Sequence, residues 1–89
     1  MMAVARYVTN ADGNSCEFAL TVADEWQAKG AGGQLMELLI QLAHERGLQT
    51  MMGEVLAQNA KMLRLCKRLG FRSMRSPEDP EVVIVTRPL

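Results

Sequence analysis

The run Gln27-Ala28-Lys29-Gly30-Ala31-Gly32-Gly33 holds the residues of this 89-residue chain best suited to chemistry, because it lies between a strand pattern and a helix pattern. In that setting successive backbone N–H groups point outward at a helix N-terminus, an arrangement that binds phosphate. Small residues at Ala28, Gly30, Ala31, Gly32 and Gly33 let a ligand approach the main chain, and Lys29 adds a positive charge. Two common phosphate loops are excluded. No Gly-Lys-Ser/Thr follows, as a nucleoside-triphosphate loop requires, and Leu35 stands where the dinucleotide fingerprint needs its third glycine. The alternative is a glycine-rich turn that serves only to start the helix.

Other reactive side chains are few. Glu17 is the one carboxylate on the strand before the loop, and Glu54 lies on the strand after the helix. His44 is the sole histidine and falls late in the helix, where a solvated imidazole is favoured by the helix dipole. Lys61, Arg64, Lys67, Arg68, Arg72 and Arg75 crowd a window without an acidic residue, and Lys61, Arg64 and Arg68 share one helix face. No set of residues has metal-ligand spacing, so no metal is expected.

These groups are positioned by a short series of elements. Ala3 to Val8 and Ser15 to Val22 alternate as strands around a turn rich in Asn, Asp and Gly, with Cys16, Phe18, Leu20 and Val22 on one face. Leu35, Met36, Leu38, Leu39, Leu42 and Ala43 recur at helical spacing up to Gly47, and the Met36, Leu39, Leu42 and Ala43 face is expected to be core. Leu48 to Leu56 is short and apolar enough for a buried strand, in which Gly53 marks a bulge or a close approach. Asn59 caps a second helix through Leu69, and Gly70 stops it. Phe71 to Met74 and Val82 to Thr86 are two final strands joined across Pro77-Glu78-Asp79-Pro80. The order is β-β-α-β-α-β-β, a mixed α/β sheet with one parallel strand-helix-strand crossover, in a single domain spanning residues 1–89.

Composition limits the alternatives. A chain of this size buries only about 60–65% of its unfolded surface and supports one modest core. With 48% hydrophobic and 22% charged residues it is neither disordered nor strongly polar. Ten basic and ten acidic residues cancel, and 4% aromatic content gives no stacking platform, so nucleic acid is not an expected partner. Leu35 to Ala43 falls well short of the roughly 18 apolar residues of a membrane span, so no membrane role is expected. Two distant cysteines and a charge at Arg6 before any apolar run point to the cytoplasm.

The loop and two further stretches resemble the GNAT superfamily of acyl-CoA-dependent N-acetyltransferases. Gln27, Gly30 and Gly32 meet that family's Q/R-x-x-G-x-G/A pattern. Asn59 to Phe71 echoes its N-x-x-A-x-x-x-Y-x-x-x-G-F signature at both ends, with Cys66 in place of the tyrosine. Cys16-Glu17-Phe18-Ala19-Leu20, Ala23-Asp24-Glu25-Trp26-Gln27 and Gly53-Glu54-Val55-Leu56 look like the C-terminal acetyltransferase domain of bacterial protein lysine acetyltransferases. Nothing before Met1 matches the family's first strand and helix pair, so the expected form is a shortened member or a piece of a longer protein.

The resemblance implies a role for each candidate. Acetyl-CoA would rest its pyrophosphate on the amides from Ala28 to Gly33, with Gln27 and Lys29 beside them, and pair its pantetheine arm with the main chain around Leu20 and Val22. Asn59 would contact the pantetheine as well as cap its helix. Glu17 would be the general base for a neutral amine, Glu54 the reserve, and the N–H near Val22 the oxyanion donor. Each carboxylate has the alternative reading of a solvated sheet residue. Cys66 is expected to be a small core residue, with a nucleophilic role as its alternative. A solvated face accounts for Lys61, Arg64 and Arg68, with contacts to CoA phosphates or docking of an acidic protein as functional alternatives. The expected function is transfer of acetyl from acetyl-CoA to an amine such as a protein lysine; the alternative is a non-catalytic acyl-CoA-binding module. Loss of the acceptor-side elements would leave apolar sheet uncovered, which implies a homodimer or a partner chain.

Overall fold

Asp12 organises the turn that opens the fold. Its carboxylate accepts hydrogen bonds from the backbone N–H of Asn14 (2.8 Å) and Ser15 (3.0 Å) and from the Ser15 hydroxyl (2.9 Å). The Asn14 amide, then that of Ser15, holds the Asp12 carboxyl below its ordinary range. Gly13 supplies the positive φ of 73° that the turn requires. The computed structural model describes residues 3–22 and 30–89. Within them the turn joins β1 (Ala3–Thr9) to β2 (Ser15–Val22). The chain continues through α1 (Ala31–Glu45), β3 (Thr50–Leu56), α2 (Ala60–Arg68), β4 (Arg72–Arg75) and β5 (Val82–Pro88).

The strands form one five-stranded sheet in the order β1-β2-β3-β5-β4. Only β2 and β3 are parallel neighbours, with α1 connecting them; the other three pairs are antiparallel. The expected mixed α/β architecture and its order of elements are therefore present.

Buried strand positions alternate and fall on one face. Cys16 and Phe18 of β2, Met51 and Val55 of β3 and Val85 of β5 join Met36, Leu39 and Ala43 of α1, Cys66 of α2 and Phe71 in a single core. Burying a side chain of this kind stabilises the fold by about 1.5–3 kcal/mol. The Phe71 ring meets that of Phe18 edge to face, with centroids 5.5 Å apart. On the opposite face Val8 is 66% exposed and Met74 63%, and Val4 and Leu56 are exposed too.

Three local expectations need correction. Leu42 is exposed rather than part of the core. At 100° per residue it lies about 120° round the helix from Met36, whereas Leu39, Ile40 and Ala43 stay within about 60°. Helix α1 also starts earlier than the apolar pattern, taking Gly32 and Gly33 into its first turn. Leu48, expected in the strand, instead packs into the core as part of the helix stop: Gly47 has φ 81°, and the Leu48 N–H reaches the Ala43 carbonyl at 3.2 Å.

Both ends of α2 are fixed. The Asn59 side chain accepts from the Met62 N–H at 3.2 Å, the expected cap. At the other end Arg87 Nε donates to the Leu69 carbonyl at 2.8 Å, and Gly70 turns the chain with φ 93°. No helix among the described residues is long and apolar enough to cross a membrane.

Candidate functional site

The parallel ladder between β2 and β3 is short. It pairs Ser15 with Thr50, Cys16 with Met51 and Glu17 with Met52, and then stops. Yet β2 continues to Val22 and β3 to Leu56, each still fully paired to its outer neighbour. Their facing edges from Phe18 and Gly53 onward thus carry main-chain donors and acceptors with no ladder between them. A side-chain contact marks the break. A Cβ on Gly53 would fall within the ring of Phe18, so glycine is what admits the ring at the apex of the wedge.

Helix α1 begins at the same end of the sheet. Its N-cap is Gly30, left-handed at φ 77° and ψ 10°, with no side-chain cap. Among the described residues the first helical bond runs from the Gln34 N–H to the Gly30 carbonyl (3.1 Å), and the N–H groups of Ala31, Gly32 and Gly33 lie in the first turn of the helix, ahead of that bond. Glycine at 33 keeps the approach open, since a Cβ there would lie 3.5 Å from both Arg68 Nη2 and Leu65 Cδ1.

A cleft of about 400 Å³ joins these features. Leu20 of β2 lines one side, Gly30, Gly32 and Gly33 another, and Asn59 with Lys61, Met62, Arg64, Leu65 and Arg68 the third. It opens at the C-terminal ends of the two parallel strands, where α/β sheets bind ligands. Among the described residues no acidic side chain lines it. The combination suits an extended, polyanionic ligand with a slender polar arm: amide donors and cations for phosphate, and an open strand edge for amide groups.

The site residues expected from sequence separate into groups. Leu20, Gly30, Gly32, Gly33 and Asn59 come together in the cleft. Ala31 is half-buried at the first position of α1 and does not line it. Val22 ends β2, its backbone paired with Ala3. Gln27, Ala28 and Lys29 lie outside the described residues. Glu17 is exposed in the last β2–β3 pair, on the face opposite Phe18 and Leu20, so it stands at the apex of the wedge and not in the cleft. Glu54 is exposed on that same face.

Cys66 is fully buried, and burial pushes its thiol up to about 11, which removes the thiolate a nucleophile would need at neutral pH. His44 is occupied by structure, with Nδ1 2.9 Å from the Leu89 carbonyl oxygen. Among the described residues no group of three His, Cys, Asp or Glu side chains could hold a metal.

Lys61, Arg64 and Arg68 are the residues for which sequence reasoning favoured a solvated face, with phosphate contacts or an acidic protein as alternatives. The structure turns their helix face toward the first turn of α1, and their i, i+3, i+7 spacing in an acid-free window was the available signal.

Residues 1–71 match the acetyltransferase (GNAT) family. An acetyltransferase of Pseudomonas aeruginosa is 37% identical over 91% of this chain and 44% of its own length. The acetyltransferase Pat of Mycolicibacterium smegmatis is likewise 37% identical, over 94% of this chain and 25% of its own. The crystal structure of the GNAT domain of S. lividans PAT superposes with a TM-score of 0.88 at 32% identity, covering 99% of this chain and 54% of that one. The chain spans less than half the length of the two relatives matched by sequence.

Proposed function

The chain belongs to the acetyltransferase (GNAT) family, and from that membership we propose that it transfers acetyl from acetyl-CoA to an amine, by direct attack of the neutral amine on the thioester. The observation that carries this reading is the wedge between β2 and β3, which ends in a cleft lined by Gly30, Gly32, Gly33 and Asn59. The N–H groups of Ala31, Gly32 and Gly33 take the pyrophosphate, with Gln27, Ala28 and Lys29 preceding them in the chain. The pantetheine arm lies along β2 from Leu20 to Val22 and meets Asn59, supplying the strand that the wedge lacks.

The reacting thioester then sits toward the apex, with the amine arriving from the open face of the sheet. Glu17, exposed on that face, accepts the amine proton, directly or through water, since an unperturbed lysine has a pKa near about 10.4. A backbone N–H of β2 on the apex side of Val22 donates to the developing oxyanion. Protonation of the departing CoA thiolate falls to water, because the Cys66 thiol is buried and a poor acid. Resemblance of the strands to protein lysine acetyltransferases favours a lysine side chain as the acceptor. Both cysteines are free, as suits a reducing cytoplasm.

A non-catalytic acyl-CoA-binding module is the second reading, favoured by one observation: the face that would receive the amine is bare apolar sheet, with Val4, Val8, Leu56 and Met74 exposed. A second copy or a partner chain covers that face in either reading.

Titration with acetyl-CoA, followed by amide NMR shifts and by heat, tests the site. Saturable shifts at Gly30 to Gly33 are expected; unmoved amides at millimolar acetyl-CoA would reduce the loop to a structural turn. Turnover with a lysine peptide then separates enzyme from module.

A further inference from the structure

The opening between β2 and β3 has a blunt end. Phe18 and Gly53 are the first residues beyond the last ladder pair, Glu17 with Met52, and the edge of the Phe18 ring lies where a Cβ of Gly53 would stand. The ring thus reaches from β2 over β3 at the narrow end of the opening, on the face that Phe18 shares with Leu20. It is held there. Phe18 is 6% exposed, its ring meets that of Phe71 edge to face, and Cys16, Met51 and Val55 belong to the same buried cluster. Core side chains packed in this way move aside only at a cost in strain.

Resting on the reading that the thioester of acetyl-CoA lies in this opening, we infer that Phe18 sets the length of the acyl group, admitting acetyl and turning away propionyl and longer chains. Two residues of strand, about 7 Å, separate Phe18 from Leu20, which lines the cleft. A methyl group in van der Waals contact stands about 3.5–4.0 Å from the ring, so the carbonyl carbon bonded to it comes just short of the level of Leu20. An acetyl group fills that interval. Each further methylene has to displace the ring, push the carbonyl back from the β2 N–H that stabilises the oxyanion, or turn out through the open face. Glu17 and Ala19 are exposed on that face, where the amine arrives, so a tail turned outward obstructs the attack. Gly53 belongs to the same device, because a side chain there would drive the ring from its place.

Kinetics with acetyl-, propionyl- and butyryl-CoA against one lysine peptide, beside calorimetry of each donor, test this. In the unaltered chain kcat/KM should fall by about tenfold or more with the first added methylene, the discrimination that a close-fitting apolar pocket gives. Phe18→Leu should bring the propionyl-to-acetyl ratio close to one, whereas damage to the fold alone would lower every rate and keep the ratio. If the donors bind without turnover, the same ratios are read from their dissociation constants. Should Phe18→Leu not fold, the nuclear Overhauser effect between the isotope-labelled acetyl methyl and the Phe18 ring protons decides in the unaltered chain, and its absence overturns the inference. Equal use of all the donors, or a ratio that survives Phe18→Leu, overturns it too and leaves the acetyl-CoA site standing. Failure of every donor to bind overturns the inference together with the reading it rests on.

Discussion

The ring of Phe18 fills the space that a side chain on Gly53 would need, at the level where the ladder between β2 and β3 ends. The absence of a side chain on Gly53 admits the ring where the two strands part, and the proposed acetyl-CoA site lies in the opening beyond it. Gly53→Ala should drive the ring off its rotamer and out of its edge-to-face contact with Phe71. Overpacking of this kind costs about 1–3 kcal/mol. Urea unfolding measures the loss, and an unchanged midpoint would mean that the ring is free to move.

Gly30 and Gly33 make opposite predictions for stability. Nothing lies within 4 Å of a Cβ on Gly30, but φ is 77°, so Gly30→Ala is strained by about 1–2 kcal/mol. Gly33 sits in the first turn of α1, where alanine meets only ordinary contacts at 3.5 Å and gains up to about 1 kcal/mol in helix propensity. Both substitutions should weaken acetyl-CoA binding, the first by moving the loop and the second by filling the cleft. Melting curves beside calorimetry check this, and a Gly33→Ala chain that bound normally would place the diphosphate elsewhere.

Much of the fold was legible in sequence because its signals were local. The helix-ending glycines at 47 and 70, the Asn59 cap and the alternation of Cys16, Phe18 and Leu20 each follow from one residue and its near neighbours. Gly53 was legible as a point of close approach, though its partner was not, since Phe18 meets it across the sheet. Leu42 was misassigned because a run of apolar residues at three and four spacing can cover more of a helix than one face of a sheet buries. Lys61, Arg64 and Arg68 could be put on one helix face, but only the packing of α2 beside the start of α1 gives that face a cleft to line.

The buried thiol of Cys66 has consequences for both reactivity and pH. Its folded pKa of about 11 stands above the ordinary value, so the native state holds its proton after the unfolded chain has released its own. Above the ordinary thiol range the unfolded state therefore binds fewer protons, and stability falls with rising pH until the folded thiol also ionises. Melting temperature should decline across that alkaline window, and less so in Cys66→Ala measured against its own neutral value. A disulfide reagent at pH 8 should leave Cys66 unlabelled until the chain unfolds; rapid labelling would expose the thiol and revive a chemical role for it.

The bare sheet face predicts self-association or capture by a partner chain. Val8 lies on edge strand β1 and is 66% exposed, so Val8→Lys puts a charge into any surface that buries it without disturbing the core. Light scattering at high concentration should find a dimer that this substitution dissociates. A strictly monomeric species throughout would leave the face for a different chain.

Glu17 and Glu54 share that face, but only Glu17 stands in the last pair before the wedge opens. A base must reach the amine from the side opposite the CoA arm, and the parity of β2 puts Glu17 there while Leu20 lines the cleft. Glu17→Gln keeps size and loses the proton acceptor. It should therefore lower kcat by about 10²–10⁴-fold and leave the acetyl-CoA dissociation constant unchanged. Glu54→Gln should change either quantity by less than about threefold. Steady-state kinetics with a lysine peptide, beside calorimetry on the same variants, separates the two carboxylates. If Glu17→Gln turned over at the original rate, the proton would have another acceptor; if neither the chain nor its variants turned over while acetyl-CoA still bound, the chain would be a binding module, with Glu17 a solvated residue of the sheet.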